Sequence, residues 1–122
     1  MIGYVTVGTN DLARAAQFYD ALAAEMGVGR MMEFENFIAW GTPGGGAGIA
    51  ATRPYDGQPA TVGNGVMIAL EARDNAHVDR LYAIAIAHGG TCEGPPGPRG
   101  ETFYAGYFRD PDGNKLNAFV MS

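Results

Sequence analysis

Histidine and cysteine are scarce in this chain: two of the first and one of the second among 122 residues. A lone Cys92 excludes an internal disulfide, and with no basic neighbour to activate it, it reads as inert packing. His77 and His88 fall on one predicted helix, eleven positions apart. That is about 16 Å of helical rise, too far to share an ion within one chain. Both are expected on an exposed helix face. Basic residues are few as well, eight against thirteen acidic ones, for a net charge of −5. Without a basic cluster there is no face for a phosphate backbone, which excludes nucleic acid as the expected partner. No apolar run approaches the roughly 20 residues that span a bilayer, so no membrane association is expected. The opening "MIGYVTVG" shows neither a basic start nor a small-residue cleavage site, and the expected location is cytoplasmic.

What the chain does have is 47% hydrophobic residues, 17% charged residues and 19 glycines. This is a globular composition suited to short strands joined by turns. "IGYVTVG" alternates and reads as a strand. "TNDLARAAQFYDALAAEMG" reads as a helix with Leu12, Ala15, Ala16, Tyr19, Leu22, Ala23 and Met26 on one face. Thr9 or Asn10 is the expected cap and Gly27 the stop. Strands follow near 29–34, 36–41 and 46–52. The order then recurs. "GVMIALEA" is a strand, "RDNAHVDRLYAIAIAHGG" a helix, and strands fit near 91–95, 101–109 and 114–121. An offset of 63 carries Asp11 to Asp74, Tyr19 to Tyr82 and Gly27 to Gly90. An offset of 68 carries Pro43 to Pro111 and Gly45 to Gly113. The reading is one α+β domain over 1–122, built from module one (about 1–52), a Gly/Pro-rich linker (53–63) and module two (about 64–122).

Three stretches carry a resemblance: "IGYVTVGTNDLARAAQFY", "VMIALEARDNAHVDRLY" and "FYAGYFRDPDGNKLNAF". Together they resemble the vicinal-oxygen-chelate superfamily, which includes glyoxalase I, bleomycin-resistance proteins and extradiol dioxygenases. The resemblance implies paired βαβββ modules whose mixed sheets curl around a cleft, often completed in a homodimer. It also implies where the metal-dependent members place their ligands, on first and last strands of each module. Here those positions are Tyr4, Ile49, Met67 and Asn117. A neutral phenol, an alkyl chain, a thioether and a carboxamide do not make a donor set for a Zn-, Ni-, Fe- or Mg-type ion. No metal cofactor is therefore expected.

Alternation on the strands agrees with that placement. If Tyr4, Met67 and Asn117 face the cleft, then Val5 and Val7, Ile68 and Leu70, and Leu116 and Ala118 face the helices. Phe119 shares the phase of Asn117, and the resemblance places Tyr107 and Phe37 beside it. The expected ligand-binding set is Tyr4, Phe37, Ile49, Met67, Tyr107, Asn117 and Phe119, a surface suited to a small apolar or aromatic molecule. A plainer alternative is that these side chains fill a closed core, with Tyr4 and Asn117 satisfying each other. Of the remaining features, "GGG" at 44–46 reads as a turn rather than a phosphate loop. "EGPPGPRGE" at 93–101 reads as a loop over the cleft mouth, with Arg99 available to an anion or to solvent. Glu71 shares the phase of Met67 and reads as a strand-end carboxylate or, less plainly, a general base. Two functions stay open, beside a weaker third, a structural or partner-binding domain whose cleft is collapsed. One is a metal-free binding protein after the manner of bleomycin-resistance proteins. The other is a glyoxalase-like lyase, isomerase or dioxygenase using a divalent metal with non-standard ligands.

Overall fold

The computed structural model describes all of residues 1–122. The chain runs β1 (Tyr4–Gly8), α1 (Leu12–Met26), β2 (Gly29–Phe34), β3 (Phe37–Gly41) and β4 (Gly48–Thr52). It then repeats the plan as β5 (Ile68–Glu71), α2 (Asn75–Ala87), β6 (Thr91–Pro98), β7 (Phe103–Arg109) and β8 (Lys115–Met121). Each module forms its own four-stranded mixed sheet, in the orders β1-β4-β3-β2 and β5-β8-β7-β6. The first and last strands of each module lie side by side and parallel, and the other pairings are antiparallel.

The helices start at aspartates. Asp11 accepts a hydrogen bond from the Arg14 backbone N–H, and Asp74 one from that of His77. The caps expected at Thr9 or Asn10 are not used, because both side chains are engaged elsewhere. The Thr9 hydroxyl donates to Asp112 at 2.6 Å, and the Asn10 amide bonds both backbone groups of Ala60. Gly27 ends α1 at φ 78°, a left-handed conformation that a side chain would oppose.

Both modules share one core. Phe18, Tyr19 and Leu22 of α1 and Val78, Leu81 and Ala85 of α2 pack with Trp40, Ala51, Phe108 and Leu116 from the two sheets. The helices touch each other, α1 lies on the first sheet and α2 on the second. A turn makes the second join. Asp110, Asp112 and Asn114 of the β7–β8 hairpin dock on the start of module one. Tyr19 donates to Asp110 at 2.7 Å, the Asn114 amide donates to the Gly8 carbonyl at 2.9 Å, and Arg14 pairs with Asp112 at 3.0 Å.

Three further expectations need correction. His77 is not on an exposed face: it is 2% exposed, with Nδ1 accepting from the Arg73 backbone and Nε2 lying 3.9 Å from Glu25 of α1. The contact between the helices covers it. The stretch 93–98 is not a loop. It continues β6 to Pro98, with register shifts between Cys92 and Gly94 and between Gly94 and Gly97. Its two central prolines are tolerated because β6 is an edge strand with one side free of ladder bonds. Cys92, read as packing, is exposed.

Candidate functional site

Each sheet has a helix-side face and an outer face, and strand pairing fixes which residue is on which. In the first sheet Tyr4 is level with Gly48, Val5 with Ile49 and Thr6 with Ala50. Val7 and Ile49 pack with the core, so Tyr4, Thr6 and Ala50 look outward. Through the β3–β4 and β2–β3 ladders, Phe37, Ala39, Met32 and Phe34 join them. The rings of Tyr4 and Phe37 meet edge-on with centroids 5.8 Å apart, and Phe34 lies 6.2 Å from Phe37. None of these outward strand residues is charged.

Ile49 is the site residue that the structure moves. It is in phase with Val5, not Tyr4, and belongs to the helix side. There it lines an apolar cavity of about 240 Å³ with Leu22, Met26, Trp40 and Leu70. The offset of 68 puts it one step out of phase, and a one-residue slip exchanges the faces of a strand.

In the second sheet Ala69 is level with Asn117 and Glu71 with Phe119, while Tyr107 is level with Asn117 and Ala105 with Phe119. Leu116 and Ala118 belong to the core. The outer face therefore carries Asn117, Phe119, Tyr107, Phe103 and Lys115, with Met67 just before β5 in the same phase. Phe103 and Phe119 stack at 5.5 Å. Asn117 is 1% exposed, yet its Oδ1 has no hydrogen-bond partner. The Tyr4–Asn117 pairing considered from sequence does not form. An unpaired buried amide oxygen costs about 1–3 kcal/mol, so its retention asks for an explanation.

The expected residues thus form two groups rather than one hollow. Tyr4 and Phe37 are on the outer face of the first sheet, and Met67, Tyr107, Asn117 and Phe119 are on that of the second. Because both sheets bury their helix-side faces in a common core, their outer faces point away from each other within a chain. Both faces leave large apolar side chains in water: Tyr4 is 46% exposed, Phe34 65% and Met121 64%.

The residues at the family's ligand positions do not fit a divalent ion. Tyr4 and Asn117 lie on separate faces, Ile49 is turned into the core, and Met67 offers only a thioether. Nowhere in the chain do three or more His, Cys, Asp or Glu side chains gather as a metal site would need. Glu71 shares the outer face of β5 and is exposed. Sequence reasoning missed Lys115 beside Tyr107, although its phase with Asn117 was readable from the strand.

No helix is long and apolar enough to cross a membrane. The sequence matches the Glyoxalase/Bleomycin resistance protein/Dioxygenase superfamily over residues 1–118. A glyoxalase/bleomycin resistance protein from Albidiferax ferrireducens T118 is 41% identical, with a TM-score of 0.89 over 98% of this chain and 97% of that one. The hypothetical protein SA1046 from S. aureus is 26% identical, with a TM-score of 0.76 over 96% of this chain and 91% of that one. A glyoxalase-related enzyme from Fulvimarina pelagi shares the fold at 23% identity and a TM-score of 0.76, over 98% of this chain and 86% of that one. No curated protein matches.

Proposed function

Given that the chain belongs to the glyoxalase/bleomycin resistance/dioxygenase superfamily, we propose that it is a metal-free small-molecule-binding protein whose aromatic cleft is closed between two copies. The observation that carries this reading is the pair of outward faces. Each has aromatic and aliphatic side chains exposed to water, and one holds a buried amide oxygen with no partner. Exposed apolar patches of this kind mark surfaces that something covers.

In the proposed assembly Tyr4, Phe34 and Phe37 of one copy lie opposite Met67, Tyr107, Asn117 and Phe119 of the other. A two-fold axis would make two such clefts from one self-complementary contact. An apolar or aromatic ligand would be held by burial of its rings, with the Asn117 amide and the Tyr hydroxyls fixing its orientation. No residue set on these faces supplies a metal, and none supplies a nucleophile with an adjacent base. Binding without chemistry is the function these side chains suit.

The test is a thermal-shift screen of the purified protein against planar apolar compounds, repeated with a chelator. A raised melting temperature indifferent to chelator supports the reading. A stoichiometric metal by elemental analysis, together with chelator-sensitive activity, would replace it with a metal-dependent lyase or dioxygenase.

A further inference from the structure

The outer face of the second sheet is not uniformly apolar. At the end where Arg109 is level with Lys115 it becomes cationic, against a chain whose net charge is −5. Arg109 and Lys115 line a recess of about 500 Å³ with Met67, Val66 and the Gly63–Gly65 turn, and no acidic side chain lines it. The two cations differ. Arg109 is neutralised by Glu93 and also donates to the Gly113 carbonyl at 2.8 Å. Lys115 makes no direct ion pair or hydrogen bond but shares the field of Glu93, whose carboxyl Arg109 chiefly, and Lys115 with it, hold below the usual range; its Nζ lies 5.6 Å from the centroid of the Tyr107 ring.

A second cation converges on the same ring. The Arg99 guanidinium lies 5.5 Å from the Tyr107 centroid and donates only to the Pro95, Gly97 and Pro98 carbonyls, so it too makes no direct ion pair. Level with Tyr107 is Asn117, whose buried Oδ1 lacks a donor. Two cations without a direct ion pair thus flank the Tyr107 ring, beside an unpaired acceptor level with it. The one outward carboxylate on β5, Glu71, is four residues along from Met67. That is about 13 Å of strand, so the carboxylate at the cationic end is Glu93, which is already paired with Arg109.

We propose that this face selects a planar ligand bearing an oxyanion. The ring lies along Tyr107 and Met67, the carboxylate or phosphate enters the recess at Lys115, and a hydroxyl or amino group on the ring donates to Asn117 Oδ1. The charges supply what an apolar cleft alone cannot, a preference for acid over neutral isostere. The neutral aromatic face of the first sheet, from a second copy, serves as the cover. This rests on the binding reading above and narrows it to anionic aromatic compounds.

Calorimetric titration with 2-naphthoate, 2-naphthyl phosphate and the neutral isostere 2-naphthamide tests it. One of the two anions is expected to bind about tenfold more tightly than the amide. Which anion wins tells carboxylate from phosphate. In Lys115→Gln that preference is expected to shrink toward the amide's affinity while amide binding is unchanged; Arg99→Gln is expected to remove the remainder. Circular dichroism confirms that the variants fold. Equal affinity of both anions and the amide, or a preference that survives both substitutions, overturns the anion site and leaves the binding reading standing. No binding of any of the three overturns both.

Discussion

Tyr19 of α1 donates its phenolic hydrogen bond to Asp110 of the β7–β8 turn across 2.7 Å, in a buried contact spanning 91 positions of sequence. Burial, and then the neighbouring Asp110 carboxylate, push the Tyr19 phenol well above its ordinary value, so it stays a donor. The same carboxylate accepts from the backbone N–H groups of Asp112 and Asn114. With Thr9 and Arg14 on Asp112, this polar joint latches module two to the first turn of module one.

Tyr19→Phe is expected to lower the unfolding free energy by about 1–2 kcal/mol, because it deletes a charge-assisted bond and keeps the ring. Asp112→Ala is expected to lower it by about 2 kcal/mol. Asp56→Ala, whose side chain reaches only the backbone of Gln58, should stay within about 0.5 kcal/mol. Urea titrations compare the three.

Asp20 supplies a pH signature. Its hydrogen bonds with Arg30, chiefly, and with the Trp40 indole hold its carboxyl below the usual range. Its folded-state value thus lies below the unfolded one. The stabilisation is complete above the ordinary Asp value of about 3.9 and is lost as pH falls through the folded-state value. Its size is expected to be below about 1 kcal/mol, because the pair is partly exposed. Trp40 is the chain's one tryptophan, so its fluorescence reports unfolding. Urea midpoints measured between pH 7 and pH 2 should show a smaller acid loss in Asp20→Asn than in the wild type.

Asn117 is expected to behave as a residue kept at a cost. Replacing it with Leu removes an unpaired buried oxygen, so the ligand-free protein should be as stable as the wild type or up to about 1 kcal/mol more stable. Ligand affinity should fall in the same variant. A variant that both unfolds more easily and binds normally would make Asn117 a structural residue.

The sequence showed some of this and hid some. Alternation put Tyr4 and Asn117 on the outer faces because β1 and β8 are apolar on their inner side and mixed on the other. The offset of 68 failed at Ile49, and alternation could not correct it because β4, "GIAAT", is small and apolar on both faces and has no polarity to mark its phase. "DPDGN" was legible as a turn from its Asp, Pro and Gly. Its role as a latch was not, because Thr9, Arg14 and Tyr19 are about 90 to 100 positions away. His77 was misplaced for a similar reason: a polar residue on a helix reads as exposed until a second helix is known to cover it. The largest gap is the separation of the two outer faces. Two repeated modules can meet sheet to sheet or through their helices, and local pattern is the same in both cases.

Sedimentation velocity on the wild type beside Phe34→Glu addresses that separation most directly. Phe34 is exposed on the outer face of β2 and is not part of the hydrophobic core cluster, so a charge there should leave the fold intact. If the two outer faces meet across copies, the wild type sediments at twice the 12.8 kDa chain mass and Phe34→Glu at the chain mass. A wild type that sediments as a single chain at micromolar concentration, or a dimer indifferent to Phe34→Glu, would contradict the shared cleft.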